Sequence, residues 1–406
     1  MHSIRKLSWY ERLELLRDKH DLSAQDLDLL KQSISKLEYA DNSIENAIGY
    51  FPIPLGIVPN FMVNNKVYTL PIATEETSII AALVNSSMYM KRAKAEVTSK
   101  KISSGKVGQV QIYNVKDFDK LTAYISLNEE KLIDLINSGP MRTMVARGGG
   151  VDSIVLRKVQ NRQKFIAVIT ISANTCDAMG ANILNCACEY LARHIEANTC
   201  EQVNISILAN LNNDISISKI FVPNFPEKLG RKIEEASIFA ETDPSRASTS
   251  NKGIMNGIDG LLIATGNDFR AVEASMHAYA CIGGWYSSLS KWRFVDENLF
   301  GELKAPISVG TVGGATRHPI ARILLKILNV ASSEELSNLA AAVGLMQNFA
   351  ALKALCSEGI VSGHMSLHIK NIVQSSDQIK DKKLAISKSL KILAQRGYIS
   401  TSDIID

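Results

Sequence analysis

The chain has 406 residues, of which 46% are hydrophobic, and its 45 Lys and Arg against 41 Asp and Glu give a net charge of +4. This length predicts two or three domains with substantial cores, and the scattered charges argue against a nucleic-acid-binding protein. The six cysteines have neither paired CxxC spacing nor a disulfide framework, and the opening residues lack a signal peptide's apolar core, so we expect a reduced, cytoplasmic protein.

Hydrophobic periodicity between residues 106 and 210 predicts an ordered series of strands and helices. Alternation of apolar and polar residues marks the strands, and apolar residues three or four apart mark the helices. The predicted elements are strand 109–113, helix 128–137, strand 153–156, strand 165–171, helix 180–197 and strand 203–207. Their order, βαββαβ, predicts a ferredoxin-like domain inserted between the two parts of a larger domain.

Two further helices are predicted towards the end of the chain. Residues 339–355 are the most apolar segment, but Gln347 and Asn348 interrupt it, so it predicts a buried helix rather than a membrane span. After a break at 375–377, residues 380–395 have the pattern of a charged amphipathic helix. The predicted class is therefore α+β, with a large mixed helical domain over 1–105 and 211–369, a small domain over 106–210 and a helical segment over 370–406.

A glycine lies where the fourth predicted strand of the small domain gives way to its helix, in the segment 177–182 (DAMGAN). Glycine at such a junction lets a phosphate approach free backbone N–H groups, where the helix dipole also favours negative charge. The alternative is that these small residues only cap and pack the helix. Rossmann and P-loop fingerprints are absent, since Ser153 stands where the third glycine would follow Gly148 and Gly150, so a nicotinamide cofactor would bind without a Rossmann fold.

A lysine and a carboxylate, Lys252 and Asp268, lie sixteen residues apart in the segments 251–259 (NKGIMNGID) and 264–268 (ATGND), and we expect glycine-bearing turns on both sides of the pair. A lysine held beside an aspartate stays protonated and keeps its direction. It can therefore meet the negative charge that hydride addition creates on a carbonyl oxygen. The alternative is a surface ion pair, with the glycines used only for turns.

A histidine, His364, follows the plausible helix cap Ser362 near the end of the apolar helix. A histidine at such a position can deliver a proton to a leaving group at neutral pH. The alternatives are a solvated histidine and a metal shared with His368, although no carboxylate ligand stands near them in sequence. We expect no metal site elsewhere, because neither HExxH nor a Cys/His cluster of zinc spacing occurs.

Six segments match the motifs of one family in the family's order: 45–49 (ENAIG), 177–182 (DAMGAN), 251–259 (NKGIMNGID), 265–268 (TGND), 310–316 (GTVGGAT) and 363–365 (GHM). Together they resemble the 3-hydroxy-3-methylglutaryl-coenzyme A (HMG-CoA) reductases, most closely the soluble bacterial (class II) branch. The resemblance covers nearly the whole chain. Membrane-anchored members carry an N-terminal span region, and we expect this protein to have none.

The resemblance implies reduction of HMG-CoA to mevalonate and free CoA by two successive hydride transfers, through mevaldyl-CoA and mevaldehyde. It implies that Lys252 stabilises the oxyanion at both additions and that Asp268 orients this lysine. Glu45 would relay protons to the thioester and aldehyde oxygens, and His364 would protonate the departing thiolate. The same chemistry in reverse would oxidise mevalonate.

Binding roles also follow from the resemblance. Arg246 would hold the terminal carboxylate of the substrate, a task suited to a bidentate guanidinium. Asn256 and Asn210 would add amide hydrogen bonds around the reacting centre. Arg5 would lie near the phosphates of CoA, and an ordinary exposed arginine is the alternative there.

The cofactor would bind, by the same resemblance, at the turn that carries Asp177, Met179, Gly180 and Asn182. Family members that use NAD have an aspartate before the triple glycine, which recognises a ribose hydroxyl. Here residues 140–143 contain Arg142 and no carboxylate, and an arginine attracts the 2′-phosphate that a carboxylate would repel. We therefore expect NADPH, with NADH as the alternative cofactor and Arg147 as a second candidate for this contact.

Assembly and motion are the last expectations that the resemblance supplies. Residues 370–406 would form a mobile C-terminal flap that brings His364 to the thioester on closure, and a fixed surface helix is the alternative. The protein would be an obligate homodimer with active sites at the interface, and it would bind neither nucleic acid nor a membrane. Two other classes stay open: a CoA-thioester-binding or acyl-transfer protein, and a regulatory module without turnover.

Overall fold

The structure is a computed structural model that describes residues 7, 9–32, 43–46, 48, 50–160, 165–357, 369, 372–373, 379, 381–396, 399–400 and 403–404. Its helices are α1 (Trp9–His20), α2 (Ala24–Gln32), α3 (Ile79–Arg92), α4 (Phe118–Ser138), α5 (Arg142–Val145), α6 (Ala181–Asn198), α7 (Glu227–Thr242), α8 (Pro244–Ala264), α9 (Phe269–Ala280), α10 (Pro319–Leu328), α11 (Ser333–Cys356) and α12 (Lys382–Arg396). Its strands are β1 (Leu55–Val63), β2 (Lys66–Ala73), β3 (Glu96–Ser103), β4 (Lys106–Tyr113), β5 (Gly150–Gln160), β6 (Phe165–Asn174), β7 (Gln202–Ala209), β8 (Ile215–Val222), β9 (Ser290–Val295) and β10 (Asn298–Pro306). A short 3-10 helix, Gly314–Arg317, precedes α10. The predicted α+β class is confirmed.

The strands form three antiparallel sheets. β1 and β2 pair as a hairpin, a second sheet has the order β3-β8-β10-β9, and a third has the order β5-β6-β4-β7. The third sheet comes entirely from residues 106–209, where the elements follow each other as βαββαβ with the short α5 added. The division of the chain into domains at these residues stays a prediction.

Buried side chains form two large clusters. One surrounds α8 and α11 and contains Ile258, Phe349 and Trp292, all fully buried. The other lies between the third sheet and helices α4 and α6, and it contains Ile136 and Ile169. Each cluster removes apolar surface from water by itself, which is the main stabilising contribution to folding. The chain passes from one core to the other close to residues 106 and 210.

Helix α11 lies at the centre of the larger core. It is the one helix in the described ranges that is long and apolar enough to cross a membrane, and 67% of its apolar window is buried in protein. Its Asn348 Oδ1 accepts hydrogen bonds from Trp292 Nε1 at 2.7 Å and from Ser290 Oγ at 2.9 Å. A buried amide is tolerated when it is paired in this way. The prediction of a buried helix is confirmed.

Helix α8 is unbroken over Pro244–Ala264, so the prediction of a turn beside Lys252 is wrong. Two glycines of this helix, Gly257 and Gly260, serve close packing instead. A Cβ atom at Gly257 would lie 3.0 Å from Val343 Cγ1 in α11, and one at Gly260 would lie 2.7 Å from Ile72 Cγ2 in β2. These approaches hold α8 between α11 and β2 and leave Lys252 on the exposed side of the helix.

Candidate active site

Lys252, Asn256 and Asp259 lie along one face of α8, because residues three and four apart succeed one another on a helix surface. The side chain of Lys252 is 61% exposed. Asn256 and Asp259 are half-buried, and one carboxyl oxygen of Asp259 is fully buried. The face therefore runs from a solvent-accessible cation to a carboxyl group inside the protein.

The cation of Lys252 is paired with a residue that the sequence analysis did not identify. Lys252 Nζ donates to Glu76 Oε2 at 2.7 Å, across 176 positions of sequence. Glu76 lies in the connection between β2 and α3, and its backbone N–H donates to Thr74 Oγ1 at 3.2 Å. The lysine is therefore held towards the loop that follows β2.

The structure pairs Lys252 with Glu76 and Asp268 with Arg270, so the expected ion pair between Lys252 and Asp268 is not formed in it. Asp268 is the N-cap of α9, where its Oδ1 accepts a hydrogen bond from Ala271 N at 3.1 Å. The same oxygen lies 3.2 Å from Arg270 Nη2. Aspartate is a favoured N-cap residue because its carboxylate accepts from the free N–H groups of the first turn. Capping thus competes with the lysine for this carboxylate.

The turn that carries Asp268 is bound to the loop over residues 310–316. Asn267 Oδ1 accepts from Gly310 N at 2.8 Å, and Asn267 Nδ2 donates to Thr265 Oγ1 at 3.0 Å. Thr265 Oγ1 in turn donates to Leu261 O at 2.9 Å at the end of α8. One asparagine therefore connects α8, the N-terminus of α9 and the 310–316 loop.

The 310–316 loop also contacts the turn over residues 177–182. Thr311 N donates to Asp177 O at 2.9 Å, and Ala178 and Val312 form an isolated parallel β-bridge. A Cβ atom at Gly310 would lie 2.6 Å from Met179 N, so the two backbones are in direct contact. The candidate cofactor turn and the candidate catalytic turn thus share one loop.

The N-terminus of α6 fits a ligand that carries phosphate. Gly180 is its N-cap with φ +87°, and no side chain caps the first turn. A Cβ atom at Gly180 would lie 2.4 Å from Thr175 Cγ2, so both the conformation and the space require glycine. The free N–H groups and the dipole of this 18-residue helix favour an anion.

The carboxylate of Asp177 accepts a hydrogen bond from the start of α11. Its Oδ1 accepts from Ser333 N at 2.7 Å, while Ser333 Oγ donates to Cys176 O at 3.0 Å. The carboxylate thereby binds the N-terminus of α11, where a negative charge is stabilising. Met179 is half-buried beside it, and Asn182 is exposed in the first turn of α6.

Two arginines lie beside the same turn. Arg142 begins α5 and Arg147 follows it, and both are exposed. The carbonyl oxygen of Arg147 lies 3.5 Å from Cys176 Sγ, one residue before Asp177. The loop that follows α5 is thus in contact with the candidate cofactor turn.

The other predicted residues are placed as follows. Arg246 is half-buried in the first turn of α8, and its backbone N–H donates to Asp243 Oδ1 at 2.6 Å. Asn210 is exposed just after β7, and its carbonyl oxygen accepts from Asn212 Nδ2 at 3.0 Å. Glu45 is exposed in a turn over residues 43–46. Arg5, His364 and His368 lie outside the described residues.

No group of three or more His, Cys, Asp or Glu side chains that could hold a metal ion occurs in the part of the chain that the structure describes.

The site also contains a carboxyl group, that of Asp259, whose surroundings the sequence analysis did not identify. Burial, together with a hydrogen bond and the negative charge of Glu273 in α9, raises the pKa of Asp259 from 3.8 to about 8. Asp259 is therefore protonated near neutral pH in the folded protein.

We expect Asp259→Asn to stabilise the fold more at high pH than at low pH. The pKa is raised on folding, so the wild-type protein loses stability as pH rises from the unfolded value of 3.8 through the folded value of about 8. An amide needs no proton, so the free energy of unfolding gained at about pH 8 should exceed that gained at about pH 5 by about 3–4 kcal/mol. Urea unfolding at both pH values measures this difference. Asp134→Asn, at an exposed position, is the control. An equal gain at both pH values would contradict the raised pKa of Asp259.

The sequence analysis also missed two residues that hold the parts of the site together. Asn267 lies inside the matched segment 265–268, but only the structure shows its bond to Gly310. Glu76 lies outside every matched segment, and the position of α8 against β2 brings it to Lys252. The only sequence signal for Glu76 is a pair of acidic residues directly after a strand.

Comparison with known proteins gives one consistent family. A sequence profile described as hydroxymethylglutaryl-coenzyme A reductase matches residues 8–369. A 3-hydroxy-3-methylglutaryl-coenzyme A reductase from Archaeoglobus fulgidus is 38% identical over 402 residues, covering 97% of this chain and 90% of that protein. A probable reductase of the same name from Borreliella burgdorferi is also 38% identical, covering 87% of this chain and 84% of its own length.

Solved structures agree with this result. The class II 3-hydroxy-3-methylglutaryl-CoA reductase from Streptococcus pneumoniae, bound to NADPH in open conformations, is 36% identical with a TM-score of 0.82. The match covers 87% of this chain and 98% of that chain. A second structure of the Streptococcus pneumoniae reductase has a TM-score of 0.83 at 33% identity and covers 98% of this chain and 97% of its own.

Proposed function

Because the chain belongs to the hydroxymethylglutaryl-coenzyme A reductase family, we propose a specific division of labour among its residues in the reduction of HMG-CoA to mevalonate and CoA. The observation that carries this proposal is the 310–316 loop, which is hydrogen-bonded both to the 177–182 turn and to the turn before Asp268. A cofactor held at the first turn would therefore lie close to the turn that carries Asp268. Two NADPH molecules, bound in succession, would each supply one hydride.

Lys252 is the electrophilic group of the proposed mechanism. Its ammonium meets the oxygen that gains negative charge at each hydride addition, first on the thioester and then on the aldehyde. Asn256, one turn further along α8, adds an amide donor on the same face. Asp268, which caps α9 in this structure, is assigned to orient the Lys252 ammonium when substrate is bound. Arg246 binds the terminal carboxylate of the substrate.

Proton transfers are assigned to Glu45 and His364. Glu45 relays protons to the two reacting oxygens, and its exposed turn is accessible to substrate before closure. His364 protonates the departing CoA thiolate, which prevents the thiolate from adding back to the aldehyde. Residues 370–406 act as a flap that closes over this step. Asn210 and Arg5 complete the contacts to HMG-CoA, and the reverse oxidation of mevalonate uses the same groups.

We assign a homodimer with active sites at the interface, in a cytoplasmic protein. Side chains of Ile44, Ile48 and Phe51, next to Glu45, are 59%, 99% and 91% exposed. A cluster of exposed apolar side chains of this kind is typical of a surface that a protein partner covers. Sedimentation velocity over a range of concentrations tests the assignment, and a monomer at every concentration that supports activity would contradict it.

The assay that tests the function follows the loss of near-ultraviolet NADPH absorbance and, in parallel, the release of free CoA thiol from HMG-CoA. The reaction requires two molecules of NADPH oxidised for each CoA released. CoA release without NADPH oxidation would identify an acyl-transfer protein instead. Binding of HMG-CoA with neither signal would identify a regulatory module.

We expect Arg142→Ala to weaken NADPH binding and to leave NADH binding unchanged. The guanidinium is assigned to the 2′-phosphate, and loss of a charge-assisted hydrogen bond of this kind raises the dissociation constant about 10-fold or more. Fluorescence titration with each cofactor measures this. Arg147→Ala is the matched variant, since that exposed side chain lies at the other end of the same short segment. A larger effect there would transfer the role to Arg147.

A further inference from the structure

Two stretches of chain connect the two buried cores, and one buried carboxylate lies where they meet. The first stretch leads from β3 into β4, and the second leads from β7 into β8. The side chain of Asp214, the residue before β8, is only 4% exposed. Its Oδ1 lies 3.0 Å from Lys101 Nζ, and its Oδ2 accepts a hydrogen bond from Lys106 Nζ. Each carboxylate oxygen therefore has a lysine of its own.

The two lysines stand on different sheets. Lys101 belongs to β3, which pairs with β8 in the second sheet, whereas Lys106 is the first residue of β4 in the third sheet. Main-chain pairing of β3 with β8 already keeps Lys101 beside Asp214, so this ion pair adds little to the arrangement. The pair between Lys106 and Asp214 instead joins the start of the third sheet to the start of β8 in the second.

The backbone around Asp214 is bound to the same crossing. Asn213 N donates to Gly105 O at 3.0 Å, which connects the two stretches of chain directly. Asp214 O accepts from Ile307 N at 3.0 Å, three residues before the 310–316 loop. Movement of Asp214 would therefore shift the segment that leads into that loop.

Lys106 lies next to groups that are assigned to the cofactor and the substrate. It lines a cavity of about 20 Å³ between the two cores, together with Gly180 of the candidate cofactor turn and Asn210. The side chain of Asn212 connects Asn210 to Asp214, because its Nδ2 donates to Asn210 O at 3.0 Å and its Oδ1 accepts from Asp214 N at 2.9 Å. The ion pair is thus continuous with both candidate binding regions.

Folding stability does not explain why these charges are buried. Removing an ion pair from water is costly, and apolar side chains of similar volume often stabilise a fold equally well. A buried ion pair does restrict geometry, because two charges inside a protein must stay in contact to remain paired. The pair between Lys106 and Asp214 therefore fixes how the two sheets meet.

We infer that Lys106 is a positioning residue that, through Asp214, holds the third sheet and its cofactor turn in register with the reacting groups on α8. The inference rests on the proposed roles of the 177–182 turn and of Lys252. The turn follows β6 of the third sheet, whereas Lys252 stands on a helix of the other core. Hydride transfer requires reacting atoms about 3–3.5 Å apart, so a small rotation of one sheet against the other misaligns them.

The test compares Lys106→Met with Lys101→Met in the full-length enzyme. Each variant removes one lysine charge and leaves Asp214 paired with the other lysine, and methionine keeps an unbranched side chain. Lys106→Met should lower kcat about 10-fold, while the dissociation constants of NADPH and HMG-CoA change by less than about 2-fold. Lys101→Met should change kcat by less than about 2-fold, because β3 and β8 stay paired.

Two results of this comparison would overturn the inference. Equal kcat values for the two variants would show that the link between the sheets is not needed. A loss of NADPH affinity with unchanged kcat would give Lys106 a direct binding role instead. If Lys106→Met does not fold, Lys106→Gln takes its place in the same comparison, since an uncharged amide can still donate to the carboxylate of Asp214.

A second measurement does not depend on turnover. Amide hydrogen exchange followed by mass spectrometry reports the opening of the hydrogen bonds from Asn213 N to Gly105 O and from Ile307 N to Asp214 O. Lys106→Met should speed exchange several-fold in peptides that contain these two amides, whereas Lys101→Met should leave it close to wild type. Unchanged exchange in Lys106→Met would also overturn the inference.

The two measurements separate this inference from the proposed function. If Lys252→Met leaves activity intact, the proposed role of Lys252 fails, and the exchange rates then decide whether Lys106 positions the crossing. If Lys252→Met removes activity but Lys106→Met and Lys101→Met behave alike in kcat and in exchange, only the positioning role fails.

Discussion

Replacement of Lys252 by methionine is expected to lower kcat about 10²–10³-fold or more while the fold stays intact. Methionine keeps the unbranched chain and removes the charge, so the oxyanion at each hydride addition loses its electrostatic partner. The exposed side chain makes an ion pair but contributes to no core, and the midpoint of thermal unfolding should change by little.

Initial rates with HMG-CoA and with free mevaldehyde measure this prediction separately for the two reductions. Both should fall, because the same ammonium is assigned to both steps. Lys228→Met, on the exposed face of α7, serves as the control for loss of a surface lysine. A kcat within about 3-fold of wild type would show that another group stabilises the oxyanion.

The order of helices and strands along the chain was predictable where it depends on local hydrophobic periodicity. Alternating and helical periodicities between residues 106 and 210 depend on neighbours a few positions apart, and the βαββαβ succession of β4 to β7 matches the predicted order. Burial of α11 was predictable for the same reason, because Gln347 and Asn348 interrupt its apolar run. Boundaries were less accurate, and the helix predicted at 128–137 begins ten residues earlier, at Phe118.

Glycine was the main source of error around Lys252. In sequence, Gly253, Gly257 and Gly260 resemble turn residues, because glycine is common in turns and weakens helices. In the structure Gly257 lets α8 approach α11 and Gly260 lets it approach β2, whereas a Cβ atom at Gly253 would meet no atom within 4 Å. Whether a glycine serves a turn or a close contact depends on what lies opposite, and that information is not local.

The partners of charged groups were not predictable for a related reason. Glu76 and Lys252 are 176 positions apart and meet only after β2 has packed against α8. Asp268 was expected to pair with Lys252, but the helix that begins one residue later takes its carboxylate as a cap. Family motifs identify which residues carry chemistry, whereas the hydrogen bonds that hold them require the packed fold.

Replacement of Gly310 by alanine is expected to raise the dissociation constant for NADPH about 10-fold or more. An added Cβ would lie 2.6 Å from Met179 N and 3.1 Å from both Ala178 C and Asp177 O. These are backbone atoms, so no side-chain rotation relieves the overlap, and the turn over residues 177–182 must move. The same movement would lengthen the hydrogen bond from Gly310 N to Asn267 Oδ1, which is 2.8 Å long.

Fluorescence titration with NADPH and thermal unfolding together identify the cause of this effect. Overpacking lowers the free energy of unfolding by about 1–3 kcal/mol and so lowers the unfolding temperature. A general loss of stability alone would not weaken NADPH binding at a temperature where the protein is still folded. Gly283→Ala is the control, since a Cβ atom there would meet nothing within 4 Å. Because the 310–316 loop contacts both turns, kcat should fall together with cofactor affinity. Weakened NADPH binding with an unchanged kcat would show that the loop serves the cofactor turn alone.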